Sequence, residues 1–200
     1  MFTKYLKVPE IRRRILFSLF VILVFRLLAH IPVPGVQQEA IKAFFSKSEI
    51  FSIFNMFSGG GFQNFSIVAL GLSPYINASI IIQLFTTLVP SLEELSKEGE
   101  QGREILNNYT RLLTLPLALF NAYGLYIILR NQNVIDPLAT TNLIVLILTL
   151  TAGTMILMWV GDLVTEYGIG QGISLLIFAG IVSALPRGLI QFLSTAGTMD

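Results

Sequence analysis

The sequence predicts an all-α, polytopic membrane protein of five transmembrane helices, and three observations carry that expectation. Hydrophobic residues make up 54% of the 200 positions and charged residues 12%, about half the charged share of a soluble domain. Several apolar runs approach the ~20 residues that a helix needs to cross the hydrocarbon core. Those runs are continuous rather than alternating, which argues against a membrane β-barrel.

The first run, 15–31, follows Lys4, Lys7, Arg12, Arg13 and Arg14. That order resembles a signal peptide, but no small-x-small cleavage site follows. The chain continues as HIPVPGV, a rigid exit turn, so we expect a retained first span. Arg26 lies near its far end, where a long side chain snorkels to the interface. Residues 34–53 are amphipathic, with Ile41, Phe44, Phe45, Ile50 and Phe51 among polar residues. They read either as an interfacial helix or as a segment packed on the spans.

The second element, 54–90, is the odd one. It opens as a Gly-rich, semi-polar stretch, is apolar from 67 to 89, is broken by Gly71 and Pro74, and carries Asn77, Ser79, Gln83, Thr86 and Thr87. Simple anchoring in lipid needs none of that. Interrupted apolar sequence with polar residues suggests backbone that lines a cavity or a path through the membrane. The loop 91–111 is the most charged stretch and reads as an aqueous connector or a docking surface. Three further runs follow at 112–129, 143–160 and 169–185. The fifth starts from GIGQG, whose glycines permit either a plain loop or a close helix approach.

Counting Lys and Arg orients the chain. The side with Lys4, Lys7, Arg12, Arg13, Arg14, Lys97, Arg103 and Arg111 holds eight, and that with Lys42, Lys47, Arg130 and Arg187 holds four. The N-terminus is therefore expected in the cytoplasm. Five spans suit one unit of an inverted repeat, because an odd number reverses the direction of the next copy.

The chemistry classes narrow quickly. GxSxG, HExxH and GxxxxGK[ST] are missing, so no enzyme is expected. No cofactor is expected, and one histidine with no cysteine argues against a transition-metal site. A net charge of +1, without a basic aromatic stripe, argues against direct nucleic-acid binding. No Asp or Glu falls within the five runs, which lowers a coupled solute transporter without removing it. Leu72, Ile76 and Ile80 recur every four residues and share a face. That face reads as ordinary packing or as a dry constriction that blocks ions by dewetting. A membrane scaffold is a third reading.

Several motifs resemble the SecY family, the channel subunits of the Sec protein translocon, in its N-terminal half. They are IPVPG (31–35), FNMFSGG (54–60), ALGLSPYINASIIIQL (69–84), KEGEQGR (97–103) with NYTR (108–111), and the run from 158 to 186. The resemblance spans essentially the whole chain. It implies five helices forming one half of an inverted-repeat channel, opening sideways to lipid at the plasma membrane. It implies Leu72, Ile76 and Ile177 as this half's share of a pore ring. It implies a plug formed by Asn55, Met56, Phe57, Ser58, Gly59, Gly60, Gly61, Phe62, Gln63, Asn64, Phe65 and Ser66. Asn77, Ile80, Gln83, Thr86 and Thr87 would belong to a lateral gate. The implied partners are a C-terminal half of the channel, SecE- and SecG-like small subunits, a SecA motor or the ribosome, signal sequences and nascent chains, and the bilayer. Position 77 is often a smaller polar residue in the family, and position 72 is often Ile.

Overall fold

A computed structural model of the chain describes residues 9–33, 39, 41, 61–62 and 64–183. These residues form helices α1 (Pro9–Leu28), α2 (Ser73–Leu88), α3 (Pro90–Lys97), α4 (Glu100–Asn131), α5 (Thr140–Tyr167) and α6 (Gly172–Ser183). Among them there is no strand, and a single antiparallel bridge joins Pro32 to Ser66.

α4 and α5, with 32 and 28 residues, are long and apolar enough to cross a membrane by length and composition. α2 and α3 pass the same test together but bend by 103° at their junction. Val89 there is extended, and Pro90 cannot donate to the α2 ladder. α2 alone is 16 residues, about 24 Å at 1.5 Å per residue, and falls short of a ~30 Å hydrocarbon core.

α1 contacts the rest of the molecule through a narrow stripe. Ser18, Val21 and Phe25 are buried, while Leu16, Phe20, Leu23 and Leu27 stand exposed on the other faces. A helix that is apolar on its outer side suits lipid rather than water. At its end, His30 Nδ1 lies 2.7 Å from Arg26 O, so the ring N–H caps a terminal carbonyl. The one histidine closes a helix and is not set against a nucleophile.

α4 buries Thr110, Thr114, Ala118 and Ala122 at four-residue intervals, so the first part of its contact face is made of small side chains. Thr110 and Thr114 Oγ1 donate to the Leu106 and Thr110 carbonyls at 2.9 and 2.7 Å, which leaves the packed stripe without unmet hydroxyls. Small faces let helices approach closely where lipid is as apolar as leucine. α2, whose buried helical side chains are Pro74 and Ala78, packs most extensively along α4.

Two apolar clusters form the interior. The outer one joins Val33, Phe65, Ala69 and Leu70 to Leu125, Tyr126 and Leu129 of α4 and Leu146 and Leu150 of α5. The inner one joins Val21, Phe25 and Ala29 to Val68, Leu72, Leu157, Val160, Val164, Ile173 and Leu176. Ile67 packs against both clusters.

The charged stretch 91–111 is mostly helix. α3 starts at Pro90, and Glu93 is 2.6 Å from Lys97 across one turn. α4 is already running by Glu100. Similarly, α5 continues through Gly161 to Tyr167, which places Asp162 on a helix. Arg111 reaches it from α4 at 3.0 Å. A carboxylate low in a membrane-class helix is tolerable when a guanidinium meets it.

Candidate functional site

The segment before α2 is the structural anomaly. Residues 64–72 are turns and one bridge residue rather than helix, yet Phe65, Ser66, Val68, Ala69, Leu70 and Leu72 are all buried, Ser66, Val68 and Ala69 completely. Irregular backbone at this depth is tolerated only when protein covers it and its polar groups find partners. Most do. Val33 N donates to Phe65 O at 2.9 Å and Ile67 N to Ile31 O at 3.0 Å, tying the segment to the exit of α1. Ser66 N donates to Gly61 O, Ala69 N to Ser66 O and Gly71 N to Val68 O, each at 2.9 Å. Asn64 Nδ2 reaches Ala29 O at 3.4 Å.

The break comes at the residues that signal one. Gly71 has φ +57°, a left-handed conformation that glycine adopts without strain. Pro74 occupies the first turn of α2, where its missing N–H costs nothing. Cover comes from α5: Gly153 lies directly against the Ile67 carbonyl group, and a Cβ there would collide with backbone. Among the described residues, the Ser66 hydroxyl is buried without a hydrogen-bond partner. An unmet polar group of this kind costs about 1–3 kcal/mol.

The three ring candidates lie differently. Leu72 is the residue from which the α2 ladder starts, its carbonyl accepting from Ile76 N at 2.9 Å, and its side chain belongs to the inner cluster. Ile177 of α6 packs against that cluster and is half-buried, as is Ile76. Thus Leu72 and Ile177, far apart in sequence, meet around one apolar centre. Further along the same face Ile80 is 50% exposed, so the stripe runs from the interior to open surface.

Of the gate candidates, Asn77, Gln83 and Thr87 are exposed and Thr86 is half-buried. Thr86 and Thr87 Oγ1 donate to Gln83 O at 2.7 and 3.4 Å, so both hydroxyls are spent on the helix's own backbone. Asn77 and Gln83 present amides on the open side. Of the plug candidates, Gly61, Phe62, Asn64, Phe65 and Ser66 are described, and Gly61, Phe65 and Ser66 are buried. Asn55 to Gly60 and Gln63 lie outside the described residues. No group of three or more His, Asp or Glu that could hold a metal occurs among the described residues.

Sequence reasoning missed the polar junction where α5 turns into α6. Ser18 Oγ donates to Arg14 O at 3.0 Å and accepts from Ile169 N at 3.1 Å. Thr165 Oγ1 donates to Gly161 O at 3.1 Å and accepts from Gly172 N at 2.9 Å. Arg14 Nη1 reaches Gly168 O at 3.5 Å. The available signal was Ser18 itself, a hydroxyl inside an apolar run and on α1's contact stripe with Val21 and Phe25.

The comparisons agree with this architecture. The SecY family model matches residues 66–199. The protein translocase subunit SecY of Pseudomonas aeruginosa is 47% identical over 193 residues, covering 96% of this chain and 44% of that protein. That of Aquifex aeolicus is 40% identical over 211 residues, covering 99% and 49%. That of Thermus thermophilus is 44% identical over 204 residues, covering 98% and 46%. The chain therefore spans about half the length of the relatives it matches. In fold it is similar to a protein-conducting channel, with TM-score 0.66 and 20% identity over 96% of this chain and 43% of that one. It is also similar to Sec61 from the canine ribosome–channel complex of the endoplasmic reticulum, with TM-score 0.64, 19% identity and the same coverage. With an all-helical architecture and a family match over most of its length, the chain belongs to the SecY family.

Proposed function

We propose that this chain supplies the N-terminal half of a protein-conducting channel, moving secretory proteins across the plasma membrane and releasing membrane proteins sideways into it. The observation that carries the reading is the covered, non-helical stretch 64–72, set against α5 and continuous with α2. A chain that only anchored or scaffolded would have no reason to bury broken backbone at that depth. The half acts by conformational change and carries no chemistry of its own. Five spans, with α1, α2, α4, α5 and α6 at their centres and the N-terminus in the cytoplasm, fit the basic-residue bias.

Leu72, Ile76 and Ile177 are this half's contribution to the seal: aliphatic side chains exclude ions by dewetting and make no fixed polar contact with a passing chain. Residues 55–66 are the plug. Asn77, Ile80, Gln83, Thr86 and Thr87 face the lateral opening. The half is completed by a C-terminal half and by SecE- and SecG-like subunits, and it is driven by a SecA motor or the ribosome.

The solute-transporter alternative loses support from Asp162, which is committed to Arg111 rather than left for a coupling ion. The test is a photocrosslinker at Ile76 in the completed channel, with a stalled secretory chain in transit. Crosslinks to the nascent chain are expected, together with a rise in ion leak for Leu72→Gly. Absence of both in an assembled channel overturns the reading.

A further inference from the structure

The start of α6 is held by side chains that are not its own. Helix N-termini leave backbone N–H groups without intrahelical partners, and a local N-cap side chain usually meets one. At the α5–α6 turn the arrangement differs. Gly172 N, the first amide of α6, donates to Thr165 Oγ1 on α5 at 2.9 Å. Ile169 N, in the turn itself, donates to Ser18 Oγ on α1 at 3.1 Å. Each hydroxyl is used twice, since it also donates to a carbonyl of its own helix, at 3.1 Å for Thr165 and 3.0 Å for Ser18. Ser18 is buried, and Thr165 Oγ1 is engaged on both sides.

The steric fit at the same place is tight. A Cβ on Gly172 would run into the Gly161 carbonyl group, and one on Gly161 would come within 2.8 Å of the Ile173 side chain. A Cβ on Gly168 would lie 2.6 Å from Ser18 Oγ. Three glycines, one serine and one threonine thus bring the backbones of α1, α5 and α6 together at one point. Beyond it, Ile173 and Leu176 enter the inner cluster that holds Leu72, and Ile177 packs on its edge. Ile177 follows Gly172 by five residues, about 7.5 Å along a helix axis. A change of tilt at the clamp is therefore carried directly to that side chain.

We propose that Thr165 and Ser18 are positioning residues for the seal: they clamp the α6 N-terminus onto α5 and α1, and so set where Ile177 stands relative to Leu72. The inference rests on the seal reading above and adds the device that holds the α6 side of it. Thr165→Val keeps the shape and removes both hydrogen bonds of the hydroxyl. Thr165→Ser keeps the hydroxyl and removes only a methyl.

The experiment uses the completed channel in sealed vesicles, with ion leak as one readout and a distance as the other. The sequence has no cysteine, so a spin-label pair on Cys substitutions at the exposed positions Leu23 and Val182 reports α6 against α1 in a cysteine-free partner background. Thr165→Val is expected to shift or broaden the distance distribution and raise the leak about fivefold, the population change that losing the one hydrogen bond between α5 and α6 produces. Thr165→Ser restores both readouts, and Ser18→Ala acts in the same direction as Thr165→Val. Ile177→Ala is measured alongside. If it raises the leak while Thr165→Val alters neither readout, the clamp is refuted and the seal stands. A distance change without added leak also overturns the proposal, since α6 is then held for some other purpose. If Ile177→Ala leaves the leak unchanged, the seal reading fails and takes this inference with it.

Discussion

α5 and the stretch from 64 to 88 are similar in length and both strongly apolar, yet α5 is one unbroken helix of 28 residues while the other stretch reaches helix only at Ser73. The local reasons are plain in the residues. α5 has no proline, and its threonines Thr149, Thr151 and Thr154 return their hydroxyls to carbonyls four residues earlier. The other stretch has Gly71 at positive φ and Pro74 at the helix start. The comparison teaches that the two depend on each other. Irregular backbone survives at membrane depth only under protein cover, and α5 provides that cover because Gly153 lets the Ile67 backbone lie against it. The regular helix is the wall, and the irregular segment is what the wall permits.

The widest separation of the two regions is expected from truncating one large side chain in each. Phe65→Ala empties a site that is 1% exposed and should cost about 3–5 kcal/mol. Leu148→Ala on the outer face of α5, 57% exposed, should stay within about 0.5 kcal/mol. Unfolding of the solubilised, completed channel in denaturant measures both, and equal losses would break the comparison.

A smaller effect sharpens it. Gly153→Ala places a methyl 2.6 Å from the Ile67 carbonyl carbon, and since that obstacle is backbone, overpacking of about 1–3 kcal/mol is expected. At Gly124 of α4 nothing lies within 4 Å of an added Cβ. There the same substitution should stabilise by about 0.5–1 kcal/mol through helix propensity. Opposite signs at two helical glycines are the signature sought in the melting temperatures.

The smallest effect tests a region that belongs to neither partner. On α3, the hydrogen bond from Lys97 and then its charge hold the Glu93 carboxyl below its ordinary value of 4.5. A lowered folded pKa stabilises fully above the ordinary value and is lost as pH falls through the lowered one. Protection of the α3 amides, taken against the intrinsic exchange rate at each pH, should therefore fall as the pH drops below 4.5, slightly, because the pair is exposed and screened. Glu93→Gln should flatten that pH dependence.

Much of this was legible in the sequence, for physical reasons that also mark its limits. The break at Gly71–Pro74 was visible because left-handed backbone and a missing N–H are properties of single residues. The apolar runs were visible because lipid imposes a composition. The helicity of 91–111 was not, since charge reads as loop even when Pro90 begins a turn and Glu93 and Lys97 stand one turn apart. The reach of α5 past Gly161 was missed for a related reason. Asp162 looks like the end of a span until Arg111, fifty-one positions earlier in the sequence, is seen to meet it. The packing of Leu72 and Ile177 around one cluster was not legible from spacing, which within one helix carries no information about another; the resemblance only grouped them as ring candidates. The clamp by Ser18 and Thr165 was invisible for the same reason.

The covered turn also imposes an order on the birth of the molecule. Residues 64–72 emerge during synthesis well before Gly153, Leu157 and Ile173 exist to enclose them. Until those arrive, the segment has its own turns, the α1 exit and then α4 for company. The packing of residues 64–72 is therefore completed only when α5 and α6 are in place.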